Sequence, residues 1–212
     1  MPVEAPLYPV GLVVAGRPVL VVGGGRVARR KAEDLVACGA RVTVVAPEID
    51  AELAELDGVA VERRRYRPGE VTAYRLAVTA TDDRAVNQLV HDDAEAAGIW
   101  VNSADDPERC SFTLPAVVRR GPVLLTVATG GHSPALATWL RRRLAAELGP
   151  EVATLAGLLA EARTEVRAAG ASTEALDWQS LLDAGLLDTL VAEGEDAARA
   201  HVRAWLSPGG TE

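Results

Sequence analysis

The chain has 212 residues, 49% of them hydrophobic and 25% charged, with a formal net charge of −8. That is enough for one medium domain with an appendage and a substantial core, and the acidic balance argues against nucleic acid as the main partner. The two cysteines, Cys38 and Cys110, stand at no metal-ligand spacing. They suggest no disulfide framework, which fits a reducing, cytoplasmic setting.

In chain order, MPVEAPLYP lacks a basic start and a long apolar stretch, so it does not read as a signal peptide, and no stretch is long enough to span a membrane. Leu7–Val14 is expected to pair as an edge element. Pro18–Val22 is a buried parallel strand by its β-branched run. Gly23, Gly24 and Gly25 follow it. A helix then carries Val27, Ala28, Ala32, Leu35 and Val36 at helical spacing and stops at Gly39, with Cys38 expected in its core face.

Gly23, Gly25 and Ala28 make the pattern G-x-G-x-x-A. The first glycine permits a sharp turn, the second lets a pyrophosphate approach the backbone, and the alanine lets helix and strand lie close. The helix start then offers its N–H groups to the phosphates. This segment is read as a dinucleotide site, because the motif sits between the right strand and the right helix.

Arg41–Ala46 is the second strand, ending at Pro47-Glu48. An acidic residue there would favour NAD over NADP by bonding the adenosine ribose. Glu48 equally suits the start of a helix over Ile49–Leu56. Val59–Glu62 is a short strand, followed by Arg63, Arg64, Arg65 and Arg67, either a solvated run or an attractor for a polyanion. Leu76–Ala80 is a further buried strand, and the Thr81-Asp82-Asp83 loop at its carboxyl end should face the cofactor. Arg84–Ala97 is a helix closed by Gly98. Ile99–Asn102 is the last strand of the series and ends in Asn102-Ser103-Ala104-Asp105-Asp106-Pro107. The alternation predicts an open parallel sheet with helices on both faces.

From about Phe112 the pattern changes. Ser111–Val118 and Val123–Ala128 are expected to be extended, joined through Arg119-Arg120-Gly121-Pro122. Thr129-Gly130-Gly131-His132-Ser133-Pro134 follows, with Ser133 as N-cap and Pro134 as first residue of a helix over Ala135–Leu148. Beyond Gly149-Pro150 the chain reads as helical to Leu206, interrupted at Gly170, Gly185 and Gly194.

Four segments in series, the glycine turn with Arg26-Val27-Ala28-Arg29-Arg30-Lys31, Ala80–Asn87, Asn102–Pro107 with Ser111-Phe112, and Thr129–Ala137, resemble the precorrin-2 dehydrogenase/sirohydrochlorin ferrochelatase family. That family includes the N-terminal part of the multifunctional siroheme synthases. The resemblance covers residues 7–150 well, and beyond them only as a small helical domain.

It implies an α/β fold: a Rossmann-like NAD-binding domain over 1–112, a small central dimerisation domain over 113–149 and a helical C-terminal domain over 150–212. It implies NAD-dependent oxidation of precorrin-2 to sirohydrochlorin, with Fe2+ insertion to siroheme in many members, and a homodimer. The family's acid/base aspartate falls on Asp105, which otherwise reads as a turn former. Cofactor contacts fall on Gly23, Gly24, Gly25, Arg26, Val27, Pro47, Glu48, Thr81, Asp82 and Asn102. A serine that is phosphorylated in some members falls on Thr129.

A polycarboxylate substrate wants guanidinium and N–H donors. Arg119, Arg120, the helix arginines Arg141, Arg142 and Arg143, Thr129, Gly130, Gly131 and His132 are the substrate-side candidates. His132 also suits a structural role, and His91 and His201 read as surface residues. The histidines make no metal-ligand spacing, so no protein-held metal is expected. The competing readings are a dehydrogenase without chelatase activity, a Co2+ or Ni2+ chelatase of the same kind, and a non-catalytic NAD sensor.

Overall fold

The computed structural model describes residues 6–104 and 106–207, and the chain divides into two compact units. The first runs through Leu114 and takes in Gly130–His132; the second comprises Pro115–Thr129 and the chain from Ser133 onward.

In the first unit, five parallel strands stand in the order β3-β2-β1-β4-β5: β1 (Pro18–Val22), β2 (Arg41–Ala46), β3 (Val59–Arg63), β4 (Leu76–Thr79) and β5 (Trp100–Ser103). Side chains alternate across a strand, and β1 shows what this does. Val19 and Val21 belong to one core with Ala28 and Ala32 of α1 (Arg26–Ala37) and Leu53 of α2 (Ala51–Ala54). Leu20 and Val22 belong to the core on the other face, with Val90 and Ala94 of α3 (Arg84–Ala97). Each side chain of this size, fully buried, stabilises the fold by about 1.5–3 kcal/mol. The run of apolar residues without polar alternation in β1 is thus the mark of a strand covered on both faces. α3 ends where expected, and its start carries a side-chain cap that the sequence analysis did not name. Asp83 accepts from the amides of Ala85 and Val86, and Gly98 closes the helix at φ 65°.

Four expectations are corrected in this unit. Leu7–Val14 forms no strand: β1 already has β2 and β4 on its two sides, and Pro9 has no N–H to give to a ladder. α2 covers only Ala51–Ala54, with Asp50 at the position before it, so Glu48 lies in the bend ahead of the helix. Cys38 is the exposed C-cap of α1. Of the arginine run, Arg64 is held by Glu70 through two hydrogen bonds of 2.9 and 2.6 Å and by Glu62 at 2.7 Å, so part of that run is structural.

The second unit pairs β6 (Ala116–Arg120) antiparallel with β7 (Val123–Val127) through the two-residue turn Gly121-Pro122, with Gly121 at φ 53°. The extended segment therefore starts at Ala116, just after Pro115, and Arg119 and Arg120 lie within the strand. One face of this ribbon, with Val118 buried, packs with α4 (Pro134–Glu147). The helices α5 (Glu151–Ala168), α6 (Trp178–Asp183), α7 (Leu186–Glu193) and α8 (Glu195–Leu206) share a core of Leu155, Leu158, Ala162, Leu181, Leu186, Leu190, Ala198 and Val202. Among the described residues no helix is long and apolar enough to cross a membrane.

Candidate functional site

The strand order fixes where a ligand can sit. From β1 the chain moves outward to β2 and β3, then returns to the other side of β1 for β4 and β5. The connections leaving β1 and β4 diverge, which opens a crevice beyond the carboxyl ends of those two strands. Gly23 and Ala80 are the residues that follow β1 and β4 there.

The three glycines divide the work at this crevice. Gly23 stands at φ 139°, and a Cβ on it would lie 2.2 Å from the carbonyl oxygen of Ala80. A Cβ on Gly24 would lie 1.8 Å from the carbonyl oxygen of Glu48. Both are required by backbone packed against backbone. A Cβ on Gly25 would meet nothing within 4 Å, and Gly25 is exposed with a negative φ of −95°. No contact within the chain requires that glycine, so the open space is left for a ligand. The sequence reading gave Gly24 no separate task, and nothing in a run of three glycines separates packing glycines from ligand glycines.

Gly25 is also the N-cap of α1. It has no side chain to accept from the first-turn amides, and no acidic residue stands in that turn. The start of α1 thus keeps free N–H groups and the positive end of its dipole. The start of α3 points to the same edge of the sheet but is closed by its own Asp83. Of the two helices, α1 is the one whose start could hold a phosphate. Arg26 and Val27 are exposed in its first turn.

The neighbouring loops are tied to this turn. The Gly23 amide donates to Val45 O at 3.1 Å, Asp50 N to Gly24 O at 2.8 Å and Ala80 N to Val22 O at 2.8 Å. Pro47 and Glu48 are exposed at that corner. Arg63, at the end of β3, donates to Ile49 O at 3.1 Å, so a guanidinium reaches the corner beside Glu48. On the other side, Asn87 donates to Thr81 O at 2.9 Å and fixes the Thr81 loop, leaving Asp82 exposed. Asn87 was legible as part of the Ala80–Asn87 motif. Its task was not, because a helical asparagine four residues after a cap has no unique partner in sequence.

Asn102 is buried, and its amide donates to Phe112 O at 2.9 Å. It shapes the loop after β5. Asp105 lies outside the described residues. Its neighbours are well tied: Ala104 N donates to Thr79 O at 2.8 Å, Asp106 pairs with Arg109, and Arg109 donates to Gln88 at 2.7 Å. Cys110 sits beneath, its sulfur accepting from Ser103 N at 3.3 Å and standing 3.2 Å from Asp106 O. Burial pushes the Cys110 thiol up, which suits an inert prop and not a nucleophile.

In the second unit, Arg120 is corrected as a substrate residue. Its guanidinium donates to Leu148 O at 2.9 Å and Ala145 O at 3.0 Å, which satisfies carbonyls at the end of α4. Arg119 is exposed on the opposite face of the ribbon. Thr129 donates to Ser133 O at 3.1 Å and accepts from Ser133 N at 3.2 Å, closing the loop of Gly130, Gly131 and His132. His132 is exposed, whereas His91 and His201 are half-buried and not surface residues; the Nδ1 of His201 lies 3.4 Å from Thr189. Among the described residues no three His, Cys, Asp or Glu side chains converge as metal ligands.

Comparison with known proteins agrees with this geometry. A family model described as "Putative NAD(P)-binding" matches residues 10–116. Siroheme synthase 1 of Aeromonas salmonicida is 42% identical over 191 residues, covering 86% of this chain and 40% of that protein. The siroheme synthase of Chromobacterium violaceum is 39% identical over 214 residues, covering 97% of this chain and 45% of that protein. The chain therefore spans less than half the length of these relatives. Among solved structures, SirC, a precorrin-2 dehydrogenase, superposes with a TM-score of 0.69 at 27% identity, covering 94% of this chain and 97% of that one. The chain belongs to the NAD(P)-binding family that runs through the siroheme synthases and this precorrin-2 dehydrogenase.

Proposed function

We propose that the chain is an NAD-dependent oxidoreductase that converts precorrin-2 to sirohydrochlorin in siroheme synthesis. The observation that carries the cofactor half is the uncapped start of α1 behind an unobstructed Gly25, at the crevice between β1 and β4. The similarity to SirC along nearly the whole of both chains supports the substrate half. In the reaction a hydride leaves a reduced macrocycle carbon for the nicotinamide and a proton goes to a base. The amides of Gly25, Arg26 and Val27 hold the pyrophosphate, with Gly23 and Gly24 shaping the turn. Pro47 and Glu48 face the adenosine ribose. Thr81, Asp82 and the loop shaped by Asn102 border the nicotinamide, and Asp105 is the base. Arg119 and the Thr129–His132 loop are the candidates for the substrate's carboxylates. The work divides as 1–112 for NAD, 113–149 for pairing two copies and 150–212 as a helical domain, in a cytoplasmic protein.

The test is incubation of the chain with precorrin-2 and NAD+, following NADH and the pigment spectrum. Turnover is expected, with NAD+ favoured over NADP+ by about tenfold or more, because a 2′-phosphate would meet the Glu48 carboxylate. Equal efficiency with NADP+ would mean that Arg63 outweighs Glu48 at that corner. NAD+ binding without turnover would replace the enzyme by a sensor. Adding Fe2+ or Co2+ after the oxidation reads out metal insertion, in which the ion is a substrate.

Self-association is part of the same reading. The outer face of the β6–β7 ribbon exposes Val117 (40%) and Leu124 (45%), and α4 exposes Leu136 (47%) and Trp139 (52%). A two-stranded ribbon has two open edges and is weak by itself. A second copy, related by a two-fold axis, would cover the same surface on both. A dimer mass is expected in light scattering at micromolar concentration, and Leu124→Glu is expected to shift it to monomer. A monomer in the parent chain would remove this part of the proposal.

A further inference from the structure

The opposite rim of the sheet carries a feature that the dinucleotide reading does not use. An open pocket of about 420 Å3 lies at the amino ends of the strands, lined by Arg17, Arg41, Arg75, Thr72, Tyr74 and Ile99 together with small residues. Arg17 precedes the first residue of β1, Arg41 opens β2 and Arg75 precedes the first residue of β4. These three strands are neighbours, and their backbones are bonded at this level: Arg41 N donates to Arg17 O at 2.9 Å and Arg75 N to Pro18 O at 2.9 Å. Adjacent strands lie about 4.8 Å apart, so three guanidinium groups spring from a rim about 10 Å wide. β1 has five residues, which at about 3.3 Å each puts this rim roughly 16 Å from the glycine turn.

The cluster carries positive charge in an acidic chain. Acids outnumber bases by 30 to 22 in the chain, yet no carboxylate lines this pocket. Arg29, Arg64 and Arg109 of the first unit are paired with acids, and what sets Arg17, Arg41 and Arg75 apart is that they line one pocket. Arg41 uses its Nε on Gly16 O at 3.1 Å, and both residues line the pocket. Arg17 and Arg75 have no side-chain partner among the described residues. Three like charges gathered without a counter-charge repel one another, and a bound anion removes that cost. The ends of α1 and α3 lie at the same rim and also attract cations, but none of these three side chains bonds to a carbonyl of either helix.

We propose that this pocket is a second anion site, distinct from the dinucleotide crevice, which takes a small, multiply charged phosphate or carboxylate compound. Guanidinium forks match both groups in pairs of parallel hydrogen bonds. The volume is that of a small-molecule site, with Tyr74 and Ile99 as the apolar wall.

The experiment is calorimetric titration of the full chain with pyrophosphate and, separately, with citrate. NAD+ is kept saturating in both arms so that the glycine turn is occupied. One anion binding event per chain is expected, weakened at raised salt. Arg17→Ala/Arg75→Ala is expected to reduce the affinity about tenfold or more while leaving the melting temperature and NAD+ binding at parental values. The tighter of the two probes identifies the recognised group. Absence of binding by both probes overturns the proposal, as does equal binding by parent and double variant. A double variant that loses melting temperature in a parent that binds neither anion would assign the arginines to the helix ends.

Discussion

Gly25→Val is expected to give a folded chain whose NAD+ affinity is lower by about two orders of magnitude or more, which is about 2.8 kcal/mol or more of binding free energy. The backbone at Gly25 has φ −95°, which any residue adopts, and the position of a new Cβ is empty to beyond 4 Å. The new Cβ therefore meets no atom of the chain, and the cost to the fold is limited to the poorer N-cap that valine makes. The branched side chain fills the space in front of the α1 amides, where a pyrophosphate has to approach. The contrasting variant is Gly24→Ala. Its single methyl would lie 1.8 Å from Glu48 O, a backbone atom that cannot swing away. Overpacking of this kind costs about 2–3 kcal/mol, a fall of about 5–10 °C in Tm for a chain this long. Adjacent glycines should thus separate ligand binding from stability, read by calorimetry with NAD+ and by thermal melting. A Gly25→Val protein that melts normally and binds NAD+ as the parent does would place the cofactor elsewhere.

Asp105→Ala is expected to lower turnover by about 10²–10⁴-fold, the usual contribution of a positioned base, with NAD+ affinity unchanged. The proposed cofactor contacts lie earlier in the chain, in the glycine turn and the loops after β2 and β4. The neighbouring aspartate is the internal control. Asp106 is paired with Arg109, and Arg109 is fixed in turn by Gln88. That carboxylate is already engaged in holding the loop, so Asp106→Ala should be milder in rate and more evident in stability. Substrate affinity in Asp105→Ala should hold or rise, because a negative charge facing a polycarboxylate is removed. An Asp105→Ala protein that oxidises precorrin-2 within a few-fold of the parent would leave the base to solvent or to His132.

Sequence and structure part company according to how local the cause is. α3 was legible at its C-terminal end because Gly98 acts within its own helix. The two-sided burial of β1 was legible because every residue of the run is apolar. Leu7–Val14 has much the same composition, but whether it pairs depends on which strand edges are open, and β2 and β4 take both sides of β1. Cys38 falls on the apolar repeat of α1, yet the helix ends one residue before it, and the stripe no longer faces the core there. Arg120 looked like a substrate ligand because a basic residue beside a loop carries no mark of its partner. Its partners, the carbonyls of Ala145 and Leu148, lie 25 and 28 residues away. At the candidate site the glycine turn, the Glu48 corner and the Thr81 loop could be read from the motifs. The props beneath them, Asn87 and Cys110, could not, because each acts through a contact that only the packed sheet creates.

The missing cap on α1 links cofactor supply to the persistence of the fold. A side-chain cap is worth about 1 kcal/mol over alanine and a few tenths of that over glycine, and α1 forgoes it at Gly25. A bound dinucleotide supplies the absent acceptor from outside the chain. Because the ligand engages the native state alone, free cofactor at 100 times its dissociation constant adds about 2.7 kcal/mol of stability. The amount of intact protein in a cell is then coupled to the size of the nicotinamide pool. On the proposed function, when that pool falls the chain becomes easier to unfold and to degrade.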